Sequence, residues 1–459
     1  MSLINRLEGI FTEWRECFTK QQAWKRCVHH VLAIVTFFSG RATVSNHTIF
    51  MGRDQGDHTA DYALYSRRKW CLKALFRPIL SRCIETHPGD YFCVAVDASQ
   101  YKKTGKQIPG TTWMKDPLGP KFQVNLLWGK RFLQFSALLP LHTTSGRPCR
   151  AVPVDYVDAP PVIKPNKKAS QEEWAAYKEA VKQQNLSTLF VERARQLRDE
   201  MDQLGHENKR LLIVADGSFS NKTCMNMDVE RTHLLARVRK DTKLCFRSEE
   251  EGGRRVYQEK KFTPKEVLAD KDIPWKSERL FYGGAWREMR FKEVTGVLWQ
   301  SVTKTRPLRL IVLAPVPYVK GGRRGYRDPA FLITTDLEAD VLLLIQAYCD
   351  RWQIEVNFRE EKSIFGVGQS QVWNEESVSK RPGLQVVAYA ALLIAGVQEY
   401  GDAVPMEALP EPLWRPRPER LTCRRLRGML RKELAESPHE MIQMNFSKEM
   451  IISILSKAA

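Results

Sequence analysis

The segment LLLIQAYCDRWQIEVNFREEKSIFG, from Leu342 to Gly366, starts as an apolar helix and then becomes rich in charge. Because no Pro or Gly interrupts it, the pattern predicts one continuous helix. At about 100° per residue, Glu360 and Glu361 point away toward solvent or a flank, while four other side chains share one narrow stripe: Tyr348, Arg351, Glu355 and Lys362. The simplest interpretation of the stripe is a solvated face with an Arg351–Glu355 ion pair. The alternative is one wall of a functional site.

The composition favours a nucleic-acid partner. The 459 residues include 72 Lys and Arg against 53 Asp and Glu, a formal net charge of +19. An excess of this size attracts polyanions, and nucleic acid is the usual one. A membrane surface is the alternative, but the longest apolar run, Leu384–Val397, is shorter than the roughly 20 residues that span a bilayer. The sequence therefore predicts a cytoplasmic protein without membrane contact, and a buried core helix at that run.

The order of apolar patterns predicts helices first and a mixed α/β core afterwards. Residues 1–85 combine amphipathic segments with polar connectors, which fits either a small DNA-binding module or a helical packing domain. Short β-rich runs then predict three strands of a meander within 91–140, and the Pro-rich residues 151–168 predict a loop. A long helix over 171–204 and a fourth strand ending at Asp216 are expected next.

The second half of the chain changes texture twice. From about residue 238 to residue 327, short strands broken by Gly and Pro predict a β-rich insertion. AFLITTD, which ends at Asp336, predicts one more core strand before the Leu342–Gly366 helix. After residue 400 the chain is Pro-rich and then basic.

Two aspartates occupy equivalent places, since Asp97 ends YFCVAVD and Asp216 ends RLLIVAD. A carboxylate at the end of a buried strand is costly unless it is paired or binds a cation. Together with Glu355, these residues would offer three hard oxygen ligands, the set that suits Mg²⁺ or Mn²⁺, whereas no Cys/His cluster has zinc spacing. For either aspartate alone, a strand-end turn or helix cap is the simpler interpretation. We assign Asp336 to such a turn.

The four residues of the stripe also form a spaced motif. Without a gap, they follow the pattern Y-(2)-R-(3)-E-(6)-K: Tyr348, Arg351, Glu355 and Lys362. In this the chain resembles bacterial insertion-sequence transposases of the DDE type, the group with a β-rich insertion before the catalytic Glu. ADGSFSN around Asp216 is similar to the D-G-x-F region of that group, and VAVDAS around Asp97 is similar to its first-Asp strand. The resemblance covers roughly residues 88–400.

The resemblance implies an α/β fold of the RNase H-like (retroviral-integrase-like) type, with a mixed five-stranded sheet and flanking helices. The first and fourth strands of that fold carry the Asp residues, and a later helix carries the Glu. The β-rich insertion accounts for the long interval between Asp216 and Glu355. The expected domains begin with a helical amino-terminal DNA-binding domain (1–85). The catalytic core follows in two parts (86–237 and 329–400), which are separated by the β-rich insertion (238–328). A basic carboxyl-terminal region (401–459) ends the chain.

The resemblance also implies an activity: binding of terminal inverted repeats, followed by metal-dependent DNA cleavage and strand transfer in cut-and-paste transposition. Asp97, Asp216 and Glu355 would be catalytic and would hold two Mg²⁺ (or Mn²⁺) ions. The DNA backbone would be positioned by the remaining residues of the motif, Tyr348, Arg351 and Lys362. The implied partners are double-stranded DNA, as transposon ends and target, and a second protomer in the synaptic complex. The implied location is the bacterial cytoplasm, at the nucleoid.

Aromatic residues in the insertion offer a further role. Relatives can stack a flipped base on an aromatic side chain there, and Trp286 and Trp299 are our candidates, with Trp275 nearby; core packing is the alternative for each. Two other functions stay open at this point. One is an RNase H-like nuclease that cuts without joining strands, and the other is a non-catalytic DNA-binding protein derived from a transposase.

Overall fold

The computed structural model describes residues 2–37, 40–116, 119–120, 122–143, 146–248, 256–401, 421–439 and 446–458. Helices fill its amino-terminal region: α1 (Leu3–Glu13), α2 (Gln21–Thr36), α3 (Val44–Phe50), α4 (Thr59–Ser66) and α5 (Leu72–Thr86). Ser2 and Thr43 cap α1 and α3 by accepting backbone N–H groups, as N-cap residues do. The second half of α2 is buried over its whole circumference, so this region packs as a layer against the rest of the protein.

The next part of the chain alternates strands with two capped helices. The strands are β1 (Tyr91–Lys102), β2 (Thr112–Lys115), β3 (Leu126–Pro140), β4 (Cys149–Asp158), β5 (Arg210–Ala215) and β6 (Thr232–Arg237). Between β4 and β5 lie α6 (Gln171–Gln183) and α7 (Leu186–Gln203), and the short α8 (Lys222–Met225) precedes β6. The single long helix predicted over 171–204 is wrong, because Asn185 interrupts it and caps α7 with its side chain.

The remaining strands belong to the region predicted as a β-rich insertion and to the strand after it. A short helix, α9 (Pro264–Ala269), comes first. It is followed by β7 (Lys276–Tyr282), β8 (Ala285–Leu298), β9 (Pro307–Leu313), β10 (Pro317–Lys320), β11 (Arg323–Tyr326) and β12 (Ala330–Thr334). β10 and β11 form a separate two-stranded ribbon, while β7, β8, β9 and β12 join the main sheet.

One mixed sheet runs through the protein in the order β2-β3-β1-β5-β6-β12-β9-β8-β7, with β4 also paired to β3. Within it, β1, β5 and β6 are parallel neighbours, and β3 and β4 continue the sheet in antiparallel fashion. The expectation of a five-stranded sheet is therefore wrong in number, since this sheet has ten strands. The insertion strands extend the central sheet because β9 pairs with β12 and β12 pairs with β6.

Two strand predictions fail for identifiable reasons. Residues 151–168 were expected to form a loop, but β4 covers the first part of this segment and is largely buried. Pro153 is tolerated because β4 pairs only with β3 and its register shifts beside Pro153, as at an edge-strand bulge. The expected second and third strands of the meander are one long strand, β3, which pairs with β1, β2 and β4 along different parts of its length.

The remaining helices of the described chain pack on the sheet or on other helices. They are α10 (Val341–Asp350), α11 (Gln353–Ser363), α12 (Glu375–Tyr400), α13 (Cys423–Glu436) and α14 (Lys448–Ala458). Among the described residues, α12 is the one helix long and apolar enough to cross a membrane, and 83% of its apolar window is buried inside the protein. The prediction of a buried core helix over Leu384–Val397 is confirmed. A Cβ at Gly383 would clash with the Leu72 side chain, which shows how closely α12 and α5 approach.

The basic carboxyl-terminal region is described only in part, because residues 402–420 lie outside the described residues. In α13, the Arg427 side chain is buried and donates hydrogen bonds to the carbonyls of Val35 (2.7 Å) and Ile364 (3.2 Å). Arg425 is also buried. Part of the positive charge of this region therefore binds the fold together instead of facing solvent.

Candidate active site

Asp97 and Asp216 lie side by side at one edge of the parallel strands. The last residues that pair between β1 and β5 are Val96 and Ala215, and the aspartates are the next residue of each strand. Neighbouring strands are about 4.8 Å apart, so the two carboxylates leave the sheet at the same level. We call this end of the sheet, at the carboxyl ends of β1, β5 and β6, the catalytic edge. β1 itself continues past Asp97 to Lys102 by pairing with β3 alone.

Glu355 reaches the same place from a pair of helices. The continuous helix predicted from Leu342 is wrong, since α10 ends at Asp350 and α11 starts at Gln353. At the junction, Ile354 and Glu355 donate their N–H groups to the carbonyls of Arg351 and Trp352, three residues back, at 3.0 and 3.1 Å. Such a tight 3₁₀ stretch inside a helix changes its direction and often marks a functional hinge. Glu355 therefore lies in the first turn of a second helix.

Arg351, at this junction, connects two of the carboxylates. Its Nη1 is 3.7 Å from Asp97 Oδ2, and its Nη2 is 3.4 Å from Glu355 Oε1. Both distances are longer than a good charge-assisted hydrogen bond. Nη1 is buried and makes no hydrogen bond among the residues that the structure describes. The guanidinium thus lies between Asp97 and Glu355 without being tightly held by either.

The three carboxylates influence one another electrostatically. Burial and the charge of Asp216 raise the pKa of Asp97 to about 6, and the Ala98 N–H and Arg351 only partly offset them. Burial also raises the pKa of Glu355, against the opposing charge of Arg351 and with a further contribution from Asp216. Asp216 Oδ1 accepts hydrogen bonds from the N–H and hydroxyl of Ser218 at 2.9 and 2.5 Å. The cluster holds more negative charge than its one arginine neutralises.

The carboxylates have the donor chemistry that a metal ion needs, but they are not arranged as a metal site in this structure. Across the described ranges of the chain, no three His, Cys, Asp or Glu side chains lie close enough together to hold a metal ion as they stand. The donor set nevertheless fits Mg²⁺ or Mn²⁺, which prefer carboxylate oxygens with water or phosphate oxygens completing the shell. Arg351 occupies the space between Asp97 and Glu355, so a bound cation would require this side chain to move.

The other two residues of the motif flank the carboxylates. Lys362 Nζ donates a 2.6 Å hydrogen bond to the hydroxyl of Ser99, two residues beyond Asp97 and on the same face of β1. Tyr348 is half-buried in α10; burial raises its pKa, while the charges of Arg237 and Arg351 lower it. The structure therefore brings Tyr348, Arg351 and Lys362 around the catalytic edge.

The tryptophans of the insertion separate into two groups. Trp286 is exposed at the tip of the β7–β8 hairpin, beyond the catalytic edge, where its ring packs on Phe281 at 5.7 Å. Trp299 follows the other end of β8 and lies at the opposite edge of the sheet, partly buried against the core. Trp275 packs beneath Arg290 and Lys292, whose charged groups lie 5.0 and 4.8 Å from its ring centre. Trp286 alone of these three extends beyond the catalytic edge.

Three features of the site were missed from sequence. Trp352 is 60% exposed directly beside Arg351, and its place within the motif could have drawn attention to it. Tyr318 and Tyr326, on the β10–β11 ribbon that leaves the catalytic edge, are exposed near Arg327, and RRGYR is the sequence signal. Glu361 was expected to face solvent or a flank, which is wrong. It is fully buried and accepts a 2.8 Å hydrogen bond from Gln134.

Asp336 has the role assigned to it from sequence. Its Oδ1 accepts the N–H groups of Glu338 and Ala339, both at 2.9 Å, and its Oδ2 accepts the Tyr91 hydroxyl. It lies at the end of β12 remote from the catalytic edge, because β12 runs antiparallel to β6. A turn aspartate and two strand-end aspartates of similar sequence thus lie at opposite edges of the sheet.

The fold and the site define a class: an α/β protein whose mixed sheet presents a cluster of carboxylates at the carboxyl edge of its parallel strands. Comparison with protein families narrows the class. Residues 188–390 match the family model of the transposase DDE domain, and the resemblance to insertion-sequence DDE transposases is confirmed. The match includes Asp216 and Glu355, whereas Asp97 precedes it. No curated protein matches the chain.

Proposed function

We propose that the protein is a DDE transposase that cleaves DNA at the ends of a mobile element and joins the freed strands to target DNA. The observation that supports this proposal is that Asp97 and Asp216 follow paired residues of neighbouring strands while Arg351 lies between Asp97 and Glu355, in a chain whose residues 188–390 match the transposase DDE domain. An RNase H-like arrangement of the central strands agrees with it. The proposal includes two specific activities, the binding of terminal repeats and strand transfer.

Asp97, Asp216 and Glu355 would hold two divalent cations, Mg²⁺ or Mn²⁺. When bound, such ions supply Lewis-acid stabilisation of the attacking and leaving oxygens in phosphoryl transfer. The chain's own contribution is positioning. Arg351, whose Nη1 lacks a hydrogen bond within the described structure, is free to take a DNA phosphate once it leaves the carboxylates. Lys362 and Tyr348 flank it and would contact the same strand, since Lys and Arg suit phosphate by charge and Tyr by its hydroxyl.

Other regions would serve DNA in supporting roles. We assign the helices before residue 86 to DNA binding and residues 86–237 with 329–400 to the catalytic core. The strands within 238–328 carry Trp286 toward the DNA; Trp299 is a weaker candidate because it lies at the far edge. We assign the region from residue 401 onward as a basic carboxyl-terminal region. Synapsis of two DNA ends would bring two protomers together as a homodimer on DNA. We place this reaction in the bacterial cytoplasm, at the nucleoid.

The test uses DNA selected from a random pool by the protein itself, labelled at one end and incubated with plasmid target and Mg²⁺. Wild-type protein should produce cut ends and products joined to the plasmid. Asp97→Ala, Asp216→Ala and Glu355→Ala should each lose both products while the gel shift of the selected DNA persists. Asp241→Ala removes an exposed aspartate outside the site and should leave the products unchanged. Full cleavage by any of the three site variants would refute the assignment.

One observation favours a second candidate, a DNA-binding protein that no longer cleaves. Arg351 lies where a cation would be needed, and an arginine that never leaves would neutralise the cluster permanently. The same assay distinguishes the candidates. Joined products indicate a transposase, cut ends without joining indicate a nuclease, and a gel shift alone indicates a binding protein.

A further inference from the structure

A projecting β hairpin lies on the β3 side of the carboxylates. β3 pairs with β1 only as far as Gly129, the partner of Lys102, and its earlier residues pair with β2 instead. We call the described residues between 103 and 129 the β2–β3 arm. Lys102 is five residues past Asp97, about 17 Å along an extended strand. The arm therefore extends outward from the catalytic edge, beyond the carboxylates.

One face of the arm is apolar and exposed. The register pairs Trp113 with Trp128 and Lys115 with Leu126, so these four side chains share a face. Trp113 is 55% exposed and Leu126 57%, and the neighbouring Phe122 is 90% exposed. The opposite face, with Met114 and Leu127, is buried. Soluble proteins seldom present several large exposed apolar side chains on one projecting hairpin unless these contact a partner.

The charge of the arm indicates what that partner is. Residues 103–129 contain four lysines and a single acid, Asp116. The ammonium of Lys106 lies 4.1 Å from the ring centre of Trp113 and 4.3 Å from that of Trp128, so it sits over both indoles. Two copies of so basic a surface would repel each other. Exposed aromatic rings interleaved with lysines are the combination that binds nucleic acid, through ring contacts and phosphate neutralisation.

We propose that the β2–β3 arm is a DNA-binding element that contacts the duplex beyond the scissile phosphate. Trp113 would lie against the sugar and base surface, and Lys106, Lys115 and Lys102 would contact phosphates on the same stretch. The inference rests on the proposed function in one respect, that the chain acts on DNA. It adds a second contact region to the carboxylate site, about 17 Å away along β1.

The experiment measures binding of the full-length protein to a fluorescein-labelled duplex of random sequence, by anisotropy over a series of salt concentrations without divalent metal. Trp113→Ala should weaken binding several-fold, because the variant removes an exposed aromatic surface of the arm. Lys106→Ala should reduce the slope of log affinity against log salt by about 0.9, one phosphate contact. Leu126→Ser offers a third variant on the same face, with a smaller expected loss.

A matched control is available at Trp174 of α6, whose ring centre lies 5.6 Å from Lys164 Nζ in the preceding loop. Trp174→Ala and Lys164→Ala should leave both affinity and salt slope unchanged, provided the arm is the specific contact. Unchanged binding in the arm variants, with unfolding midpoints like wild type, overturns the inference. So does a loss of self-association in sedimentation without any change in DNA affinity, because the arm would then be a protein interface.

The two failures can be told apart. If Asp97→Ala abolishes cleavage but the arm variants bind DNA normally, the inference fails and the proposed function holds. If the arm variants lose DNA affinity but no condition yields cut or joined products, the inference holds and the proposed function fails.

Discussion

Two aspartates, the buried Asp61 in α4 and the partly buried Asp97 in β1, have opposite electrostatic surroundings. Asp61 is fully buried, and its Oδ1 lies 3.1 Å from Arg26, 3.1 Å from Arg53 and 3.0 Å from His30. Burial pushes its pKa upward, but the His30 hydrogen bond and the surrounding charges outweigh burial and hold the pKa below its usual value. Asp97 has only its neighbour's N–H and Arg351 at 3.7 Å, and its pKa rises to about 6.

The difference lies in the hydrogen-bond donors, because burial raises the pKa of both carboxylates and only Asp61 has donors that outweigh it. Asp61 joins α4 to α2, and the network continues through His30 and Tyr65 to Arg381 of the core helix α12. Such pairing stabilises the native state. Asp97 instead faces two other acids, and its negative charge is not fully balanced by nearby positive charge. Functional sites use this arrangement when a cation or substrate supplies the missing positive charge. Glu361 is a third case: buried with one donor, it is kept neutral, and burial raises its pKa to about 8.

The largest expected effect is on the paired aspartate. Asp61→Ala leaves Arg26, Arg53 and His30 without their shared acceptor, and we expect the free energy of unfolding to fall by about 3–5 kcal/mol, as for other broken buried ion pairs. Urea unfolding followed by circular dichroism measures it. Asp241→Ala, an exposed aspartate paired only with Arg239, is the matched control and should stay within about 0.5 kcal/mol of wild type. If Asp61→Ala lowers the free energy of unfolding no more than the control does, the proposed difference between Asp61 and Asp97 is wrong.

The next effect concerns the neutral carboxyl group of Glu361. Its pKa is higher in the folded than in the unfolded chain, so the native state keeps a proton that the unfolded state releases between about pH 4.5 and pH 8. Stability from this group therefore falls as pH rises through that window, by up to about 1.4 kcal/mol per pH unit. Glu361→Gln cannot ionise and should flatten that part of the pH profile. Identical profiles for variant and wild type would show that Glu361 titrates normally.

A smaller effect of opposite sign is expected for the underpaired aspartate. Asp97→Asn removes a charge that burial and Asp216 disfavour, and we expect it to raise the free energy of unfolding by about 1 kcal/mol at pH 7.5 in the absence of divalent metal. The sign follows from the raised pKa: wild-type stability from this group falls as pH rises from about 4 to about 6, and the variant lacks that loss. The gain should vanish near pH 4. If Asp97→Asn instead lowers the free energy of unfolding at pH 7.5, the charge of Asp97 stabilises the fold, as that of Asp61 does.

The sequence predicted best those features that depend on local pattern. YFCVAVD and RLLIVAD are apolar runs that end in Asp, and both form parallel strands that place Asp97 and Asp216 together. The motif spacing placed Tyr348, Arg351 and Lys362 on one stripe of a single helix, and in the structure the three side chains lie on two helices and the junction between them, near one edge of the sheet. It could not show the break at Arg351, because no Pro or Gly marks it; the tight turn there comes from packing of α10 and α11 on different parts of the sheet.

Features that depend on distant contacts were missed or wrong. Glu361 is buried because Gln134, 227 residues earlier, donates to it, and no local signal reports such a partner. β4 was expected to be a loop because Pro weighs against strands, yet Pro153 lies at a register shift on a strand that pairs on one side only. The ten-stranded sheet depends on β12 pairing with both β6 and β9, a connection that strand propensity does not specify.

Binding of Mn²⁺ to the protein–DNA complex tests whether Asp97, Asp216 and Glu355 form a cation site, because electron paramagnetic resonance distinguishes bound from free metal without relying on activity. We predict that wild-type protein binds Mn²⁺, that Asp97→Asn, Asp216→Asn and Glu355→Gln each lose it, and that the Asp241→Asn control does not. If Mn²⁺ binding persists undiminished in all three site variants, or is absent from the wild-type complex, these three residues do not form the cation site.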